Sequence, residues 1–166
     1  LYVVSGSPTL FSGATIILNK LKKDNIPFKV IDNTSSLSYM LAYAGVSLIK
    51  TNIVSLHGKS GVDLEQFLTN DYTFVVCDDN TPMILKTITH YLDDNDFSII
   101  LGERFGYSDE SFSGTTLDDM ITNPPKMPYS LLIKKEFKTL PTISSEDMIE
   151  HENGMITKSY KRHLSL

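Results

Sequence analysis

Tyr72-Thr73-Phe74-Val75-Val76-Cys77-Asp78-Asp79-Asn80-Thr81-Pro82 decides the class of this fold. The first six residues read as a buried strand, and the small polar run after them as a turn. Thr81 suits a helix N-cap and Pro82 the first helical position, so a helix is expected from there to about Leu92. Strand, polar turn and helix in that order are the unit of an α/β fold. The same device opens the chain, where Leu1-Tyr2-Val3-Val4 runs into Ser5-Gly6-Ser7-Pro8. There the pattern predicts a strand over residues 1–4, an N-cap at Ser7 and a helix over residues 8–23. Ile16, Ile17, Leu18 and Leu21 form its apolar stripe.

Working outward, Phe28-Lys29-Val30-Ile31 reads as a strand and Asp32-Asn33-Thr34-Ser35-Ser36 as a polar turn. A short helix over residues 37–44 follows, and Gly45 stands where a C-cap glycine belongs. Residues 52–56 predict a strand ending at His57-Gly58-Lys59-Ser60-Gly61, and residues 63–68 a helix. Residues 97–101 predict another strand, closed by Gly102-Glu103-Arg104-Phe105-Gly106-Tyr107. Residues 111–115 and 129–133 read as later strands. From Phe137 the mixture of Pro, Ser, Thr and acids suits a linker.

Composition narrows the function. The 166 residues carry 15 Lys plus Arg against 20 Asp plus Glu, a net charge of -5. That balance argues against nucleic acid as a partner, which needs clustered cations. No apolar run approaches the length that spans a bilayer. One cysteine excludes an internal disulfide, and four histidines without metal-ligand spacing give no support for a metal site. Cys77, closing an apolar strand, reads as a small buried hydrophobe. Phosphate-loop and nucleophile-elbow motifs are absent.

Polar turns at the C-terminal ends of strands are where open α/β sheets hold ligands. Gly6-Ser7-Pro8 and Asp32 to Ser36 offer backbone donors and hydroxyls, on segments expected to lie side by side. Each is equally explained as a well-capped helix start or an Asx-turn. His57 is of the residue type most used for proton transfer, and Glu103 beside Arg104 reads equally well as a surface ion pair. Composition and spacing reach only an α/β ligand-binding protein.

The order of these motifs resembles the tetrapyrrole methylase family. The residues that carry it are Val3 to Phe11, Val30 to Ser36 and Ser55-Leu56-His57-Gly58. Asp79-Asn80-Thr81-Pro82 and Gly102 to Glu110 make the chain similar to the precorrin-6Y or cobalt-precorrin-7 branch. That branch methylates carbon 5 of the macrocycle in cobalamin biosynthesis. The resemblance implies two α/β domains, residues 1–47 and 48–136, with S-adenosylmethionine bound in the cleft between them. It implies cofactor contacts from Gly6, Ser7, Leu10, Ser35, Ser36 and Gly102, and proton acceptance by His57 or Glu103. Lys59, Arg104 and Lys135 would dock a carboxylate-rich precorrin. It also implies a homodimer in the cytoplasm, needing no metal, membrane or nucleic acid.

Two departures qualify the resemblance: Ser7 stands where the family usually has aspartate, and Asp32-Asn33 where this branch has Pro-Gly. The family's opening strand and Gly-x-Gly-Pro-Gly loop have no match, so this segment is expected to lack one wall of its site and to bind the cofactor weakly or not at all. After a linker over residues 137–151, Glu152-Asn153-Gly154-Met155-Ile156-Thr157-Lys158 resembles the start of a fused carbon-15 methyltransferase/decarboxylase, residues 152–166. A non-catalytic dimerising or scaffolding segment, and a sibling methylase with another acceptor, are the competing readings.

Overall fold

The structure is a computed structural model that describes residues 1–90 and 96–136, the side chains of 89 and 90 excepted. The linker and tail expectations, and the end of the helix expected to reach Leu92, lie outside the described residues. Leu1–Glu136 cluster as one unit.

Among the described residues, five α-helices and five strands follow in chain order. α1 spans Ala14–Lys23, α2 Ser36–Ala44, β1 Thr51–Ser55, α3 Glu65–Leu68 and β2 Tyr72–Val76. α4 spans Thr81–Lys86, β3 Phe97–Glu103, β4 Ser111–Thr115, α5 Leu117–Thr122 and β5 Tyr129–Lys135. The five strands form one mixed sheet in the order β1-β2-β5-β3-β4. β1 and β2 are parallel, joined across α3, and the remaining pairs are antiparallel. The last strand in sequence therefore sits in the middle of the sheet. Its residues Tyr129 to Ile133 are all buried, as a strand covered on both faces must be.

Alternation along the strands divides the core into two layers. Phe74 pairs with Leu132, and both pack with Leu37, Met40 and Leu41 of α2. Phe67, Leu85, Ile88, Ile99 and Ile133 line a separate small cavity of about 170 Å³. Helix α2 starts where its caps require: the Ser35 hydroxyl accepts the Ser38 N–H at 3.1 Å. It stops at Gly45, whose φ of 65° is the left-handed conformation of a C-cap glycine.

The opening of the chain departs from the sequence reading. Residues 1–4 and 28–31 form no strands. Extended segments become strands only by pairing, and neither finds a ladder partner among the described residues. Instead Tyr2, Val3, Val4, Phe28, Val30 and Ile31 line a groove beside α1. α1 begins at Ala14, not Pro8: the Ser7 hydroxyl does accept the Thr9 N–H at 3.2 Å, as a cap would, but Phe11 takes a φ of 45°, off the helical path. Near Thr81 the cap shifts by one residue. Asn80 holds the N-cap position while the Thr81 hydroxyl turns back to accept the Asp78 N–H at 2.9 Å. The helix expected over residues 63–68 is shortened to α3, with the Asp63 carboxylate accepting the Glu65 N–H.

Candidate functional site

At the C-terminal ends of β1 and β2 lies a cavity of about 550 Å³, within the usual size range of small-molecule sites. Three groups of residues build it.

The first is the pair of polar turns. Ser7 is 6% exposed, and its hydroxyl donates to the Asp32 carboxylate at 2.7 Å. It also accepts the Thr9 N–H at 3.2 Å, while Asp32 takes the N–H of Asn33 at 2.9 Å. This exchange ties one turn to the other across the base of the cavity. Gly6, Ser7, Leu10, Asn33, Thr34, Ser35 and Ser36 all face the space. Ser35 thereby does two things at once, capping α2 and lining the wall.

The second group is aromatic. Phe105 lies 5.2 Å from the Phe112 ring and 5.4 Å from the Tyr39 ring, centroid to centroid. Tyr39 donates its hydroxyl to Glu110 at 3.0 Å, and Glu110 also accepts the Gly106 N–H at 2.6 Å. The Glu110 carboxylate holds the Tyr39 phenol above its ordinary pKa by accepting that proton and by its charge. Helix α2 and the β3–β4 loop are thus joined at the rim.

The third group is the turn after β1 and its surroundings. His57 lines the cavity beside Val76, Cys77, Pro128 and Tyr129. The Gly58 N–H donates to Asp78 at 2.7 Å, which holds that carboxyl below the usual carboxylate range. Tyr129 donates its hydroxyl to the Asp78 carbonyl at 2.7 Å. Cys77 is 4% exposed, and burial pushes its thiol well up, so it behaves as the small hydrophobe its position suggested.

Of the residues singled out from sequence, Gly6, Ser7, Leu10, Ser35, Ser36 and His57 come together here. The others do not line the cavity. Gly102 packs behind Phe105, where an added Cβ would strike that ring and approach the Met40 methyl to 2.8 Å. Glu103 turns away to accept from the Ser111 hydroxyl at 2.8 Å and from the Lys126 N–H. Arg104 is occupied by Asp109 at 2.7 Å and by the Met127 carbonyl at 3.1 Å, and lies over the Tyr107 ring. Lys59 is exposed at the turn, and Lys135 donates to the Leu68 carbonyl at 2.9 Å.

Sequence reasoning missed Tyr39, Phe105 and Tyr129 as wall residues. Tyr39 was within reach: it lies four residues after Ser35, on the same face of α2. Phe105 stands inside the Gly102 to Tyr107 motif, where its charged neighbours overshadow it, and Tyr129 carries no local signal, because the sheet order brings it to the cavity.

Among the described residues no helix is long and apolar enough to cross a membrane. A search of curated proteins finds no match. Among solved structures, uroporphyrin-III C-methyltransferase from Thermus thermophilus, complexed with S-adenosyl homocysteine, is similar at TM-score 0.59 and 20% identity. The match covers 78% of this chain and 62% of that one. Cobalt precorrin-4 methyltransferase CbiF matches at TM-score 0.62 and 15% identity, over 78% of this chain and 61% of that one. A diphthine synthase homologue from Entamoeba histolytica matches at TM-score 0.63 and 16% identity, over 80% and 63%. At these identities the likeness is one of fold, and the chain spans about three fifths of each structure's length. The family described as Tetrapyrrole (Corrin/Porphyrin) Methylases matches residues 1–121, and with the fold in agreement the chain belongs to that family.

Proposed function

We propose that this chain is the cofactor-binding part of an S-adenosylmethionine-dependent C-methyltransferase. Its acceptor is a precorrin or cobalt-precorrin macrocycle, methylated at carbon 5 in cobalamin biosynthesis. The observation that carries the proposal is the cavity itself, where Gly6, Ser7, Leu10, Ser35, Ser36 and His57 converge. The donor set suits the cofactor. Hydroxyls of Thr34, Ser35 and Ser36 match a ribose and an amino-acid end, and Tyr39, Phe105 and Tyr107 offer flat faces to a purine. The carbon-5 assignment is supported by the Ser55-Leu56-His57-Gly58 and Gly102 to Tyr107 motifs.

When bound, S-adenosylmethionine supplies a sulfonium methyl to an electron-rich carbon. The residues of this chain bind and align the reactants and exclude water, and alignment alone lowers a barrier by several kcal/mol. His57, at the cavity wall, takes up the proton released from the acceptor carbon. Arg104 is already neutralised by Asp109, so docking of substrate carboxylates falls to Lys59 and to groups beyond the cavity. The proposal includes a division into two α/β domains near residue 47, a cytoplasmic homodimer and a fused carbon-15 methyltransferase/decarboxylase.

Isothermal titration with S-adenosylhomocysteine tests the cofactor reading. The unmatched opening loop leads to an expectation of weak or absent binding, but the cavity formed by the described residues supports a Kd on the order of micromolar. A protein that unfolds cooperatively yet shows no binding overturns it.

A further inference from the structure

Asp78, two residues beyond the end of β2, makes more connections than a turn residue needs. Residues 56–59 form a β-turn closed by the Lys59 N–H on the Leu56 carbonyl at 2.9 Å. Gly58 has a φ of 69° and His57 is not left-handed, the pattern of a type II turn. Such a turn uses the N–H of its fourth residue and leaves that of its third unspent. Gly58 spends it on one oxygen of Asp78 at 2.7 Å. The other oxygen accepts the Asn80 N–H at 3.0 Å and the hydroxyl of Thr81, which is 0% exposed. The carboxylate is thereby held from behind, at the start of α4. Beyond Leu56, whose N–H bonds Val76, the Asp78 bond is the one hydrogen bond that ties this turn's tip to the sheet among the described residues.

We propose that Asp78 is a positioning residue: its carboxylate tethers the tip of the 56–59 turn and so keeps the His57 imidazole at the cavity wall. Its carbonyl, through the Tyr129 hydroxyl, holds the neighbouring wall by a separate bond. The low titration of the Asp78 carboxyl, whose largest cause is the Gly58 N–H, agrees with a carboxylate engaged in this contact. A tip released from the tether spends only part of its time at the cavity, and function there falls by that fraction. The inference rests on the cofactor reading only for its ligand arm.

The test follows the His57 ring and backbone amides by NMR in the full chain and in Asp78→Ser. Serine keeps a short acceptor for the Asn80 N–H but has no second oxygen for Gly58. In the free protein, exchange of the Gly58 amide is expected to quicken by about tenfold or more in the variant. Unchanged exchange overturns the proposal. On saturation with S-adenosylhomocysteine, the variant should show at most about half the wild-type change at the His57 ring. Its Tyr129 and Phe105 changes and its affinity should stay within about threefold of wild type. An undiminished His57 response overturns the tether, and so does an equal loss at all three residues, the mark of a general structural defect. If the wild-type protein does not bind the ligand, the cofactor reading fails and the exchange measurement still decides the tether. Should Asp78→Ser not fold, Asp78→Asn replaces it: Gly58 and Asn80 bond different oxygens of Asp78, so an amide whose oxygen stays on Asn80 turns an NH2 donor toward the Gly58 N–H.

Discussion

Ser7 offers its hydroxyl to Asp32 and receives the Thr9 N–H, so its polar capacity is largely spent inside the protein. It therefore acts more as a strut between the two polar turns than as a direct ligand. The carboxylate that strengthens the strut lies at Asp32, on the exposed side. If the two side chains act as one unit, removing either removes the same contribution. Ser7→Ala and Asp32→Ala are each expected to weaken S-adenosylhomocysteine binding by about three- to tenfold. The double variant should be no weaker than the worse single variant. Titration calorimetry on all four proteins reads this, and additive losses would show two independent contacts.

At the scale of elements, helix α2 carries the site. Its N-cap Ser35 and its first residue Ser36 line the cavity, as does Tyr39 one turn later, while Leu37, Met40 and Leu41 face the core. A single 3.6-residue period thus assigns binding and packing to different faces of one helix. Capping and binding at Ser35 can be separated. Ser35→Ala removes the cap and is expected to cost about 1 kcal/mol, a fall in Tm of roughly 2–4 °C. Ser35→Asp retains an N-cap acceptor, so its Tm should stay close to wild type. It also places a charge on the cavity wall, and affinity for S-adenosylhomocysteine should drop about tenfold or more. Thermal melts and titration together distinguish the two roles; a parallel loss of Tm and affinity in Ser35→Asp would contradict them.

For the molecule as a whole, the central position of β5 decides both stability and site. Leu132, 1% exposed, pairs with Phe74 on one side and Ile100 on the other, directly beneath α2. The same strand begins with Tyr129 and Ser130, which line the cavity. Leu132→Ala removes buried volume at the centre of the sheet and is expected to cost about 2–5 kcal/mol in urea unfolding. The denaturant slope should stay near wild type, because the fold that unfolds is the same. Added S-adenosylhomocysteine should recover part of the lost Tm by binding the native state alone. A cost below about 1 kcal/mol would mean that β5 is not the structural centre assigned to it.

What the sequence determined by itself were the features set by neighbours along the chain. The second-half strands, the Gly45 stop of α2 and the turns at residues 5–8, 32–36 and 56–59 follow from local propensity, capping and glycine conformation. The convergence of Gly6, Ser7, Leu10, Ser35, Ser36 and His57 was expected only from the family resemblance, and contacts distant in sequence bring them to one cavity. The tertiary structure decided what depends on partners distant in sequence. Residues 1–4 and 28–31 have strand composition but form no strands, because a strand exists only as half of a pair. β5 enters the sheet between β2 and β3, and that order brings Phe105 and Tyr129 to the cavity. Glu103 and Arg104 carry suggestive charges, yet the register of β3 and the loop after it turn them to Ser111, Lys126 and Asp109. Charge can be read from a residue's name, whereas its direction is set by hydrogen-bond register and packing, which belong to the assembled sheet.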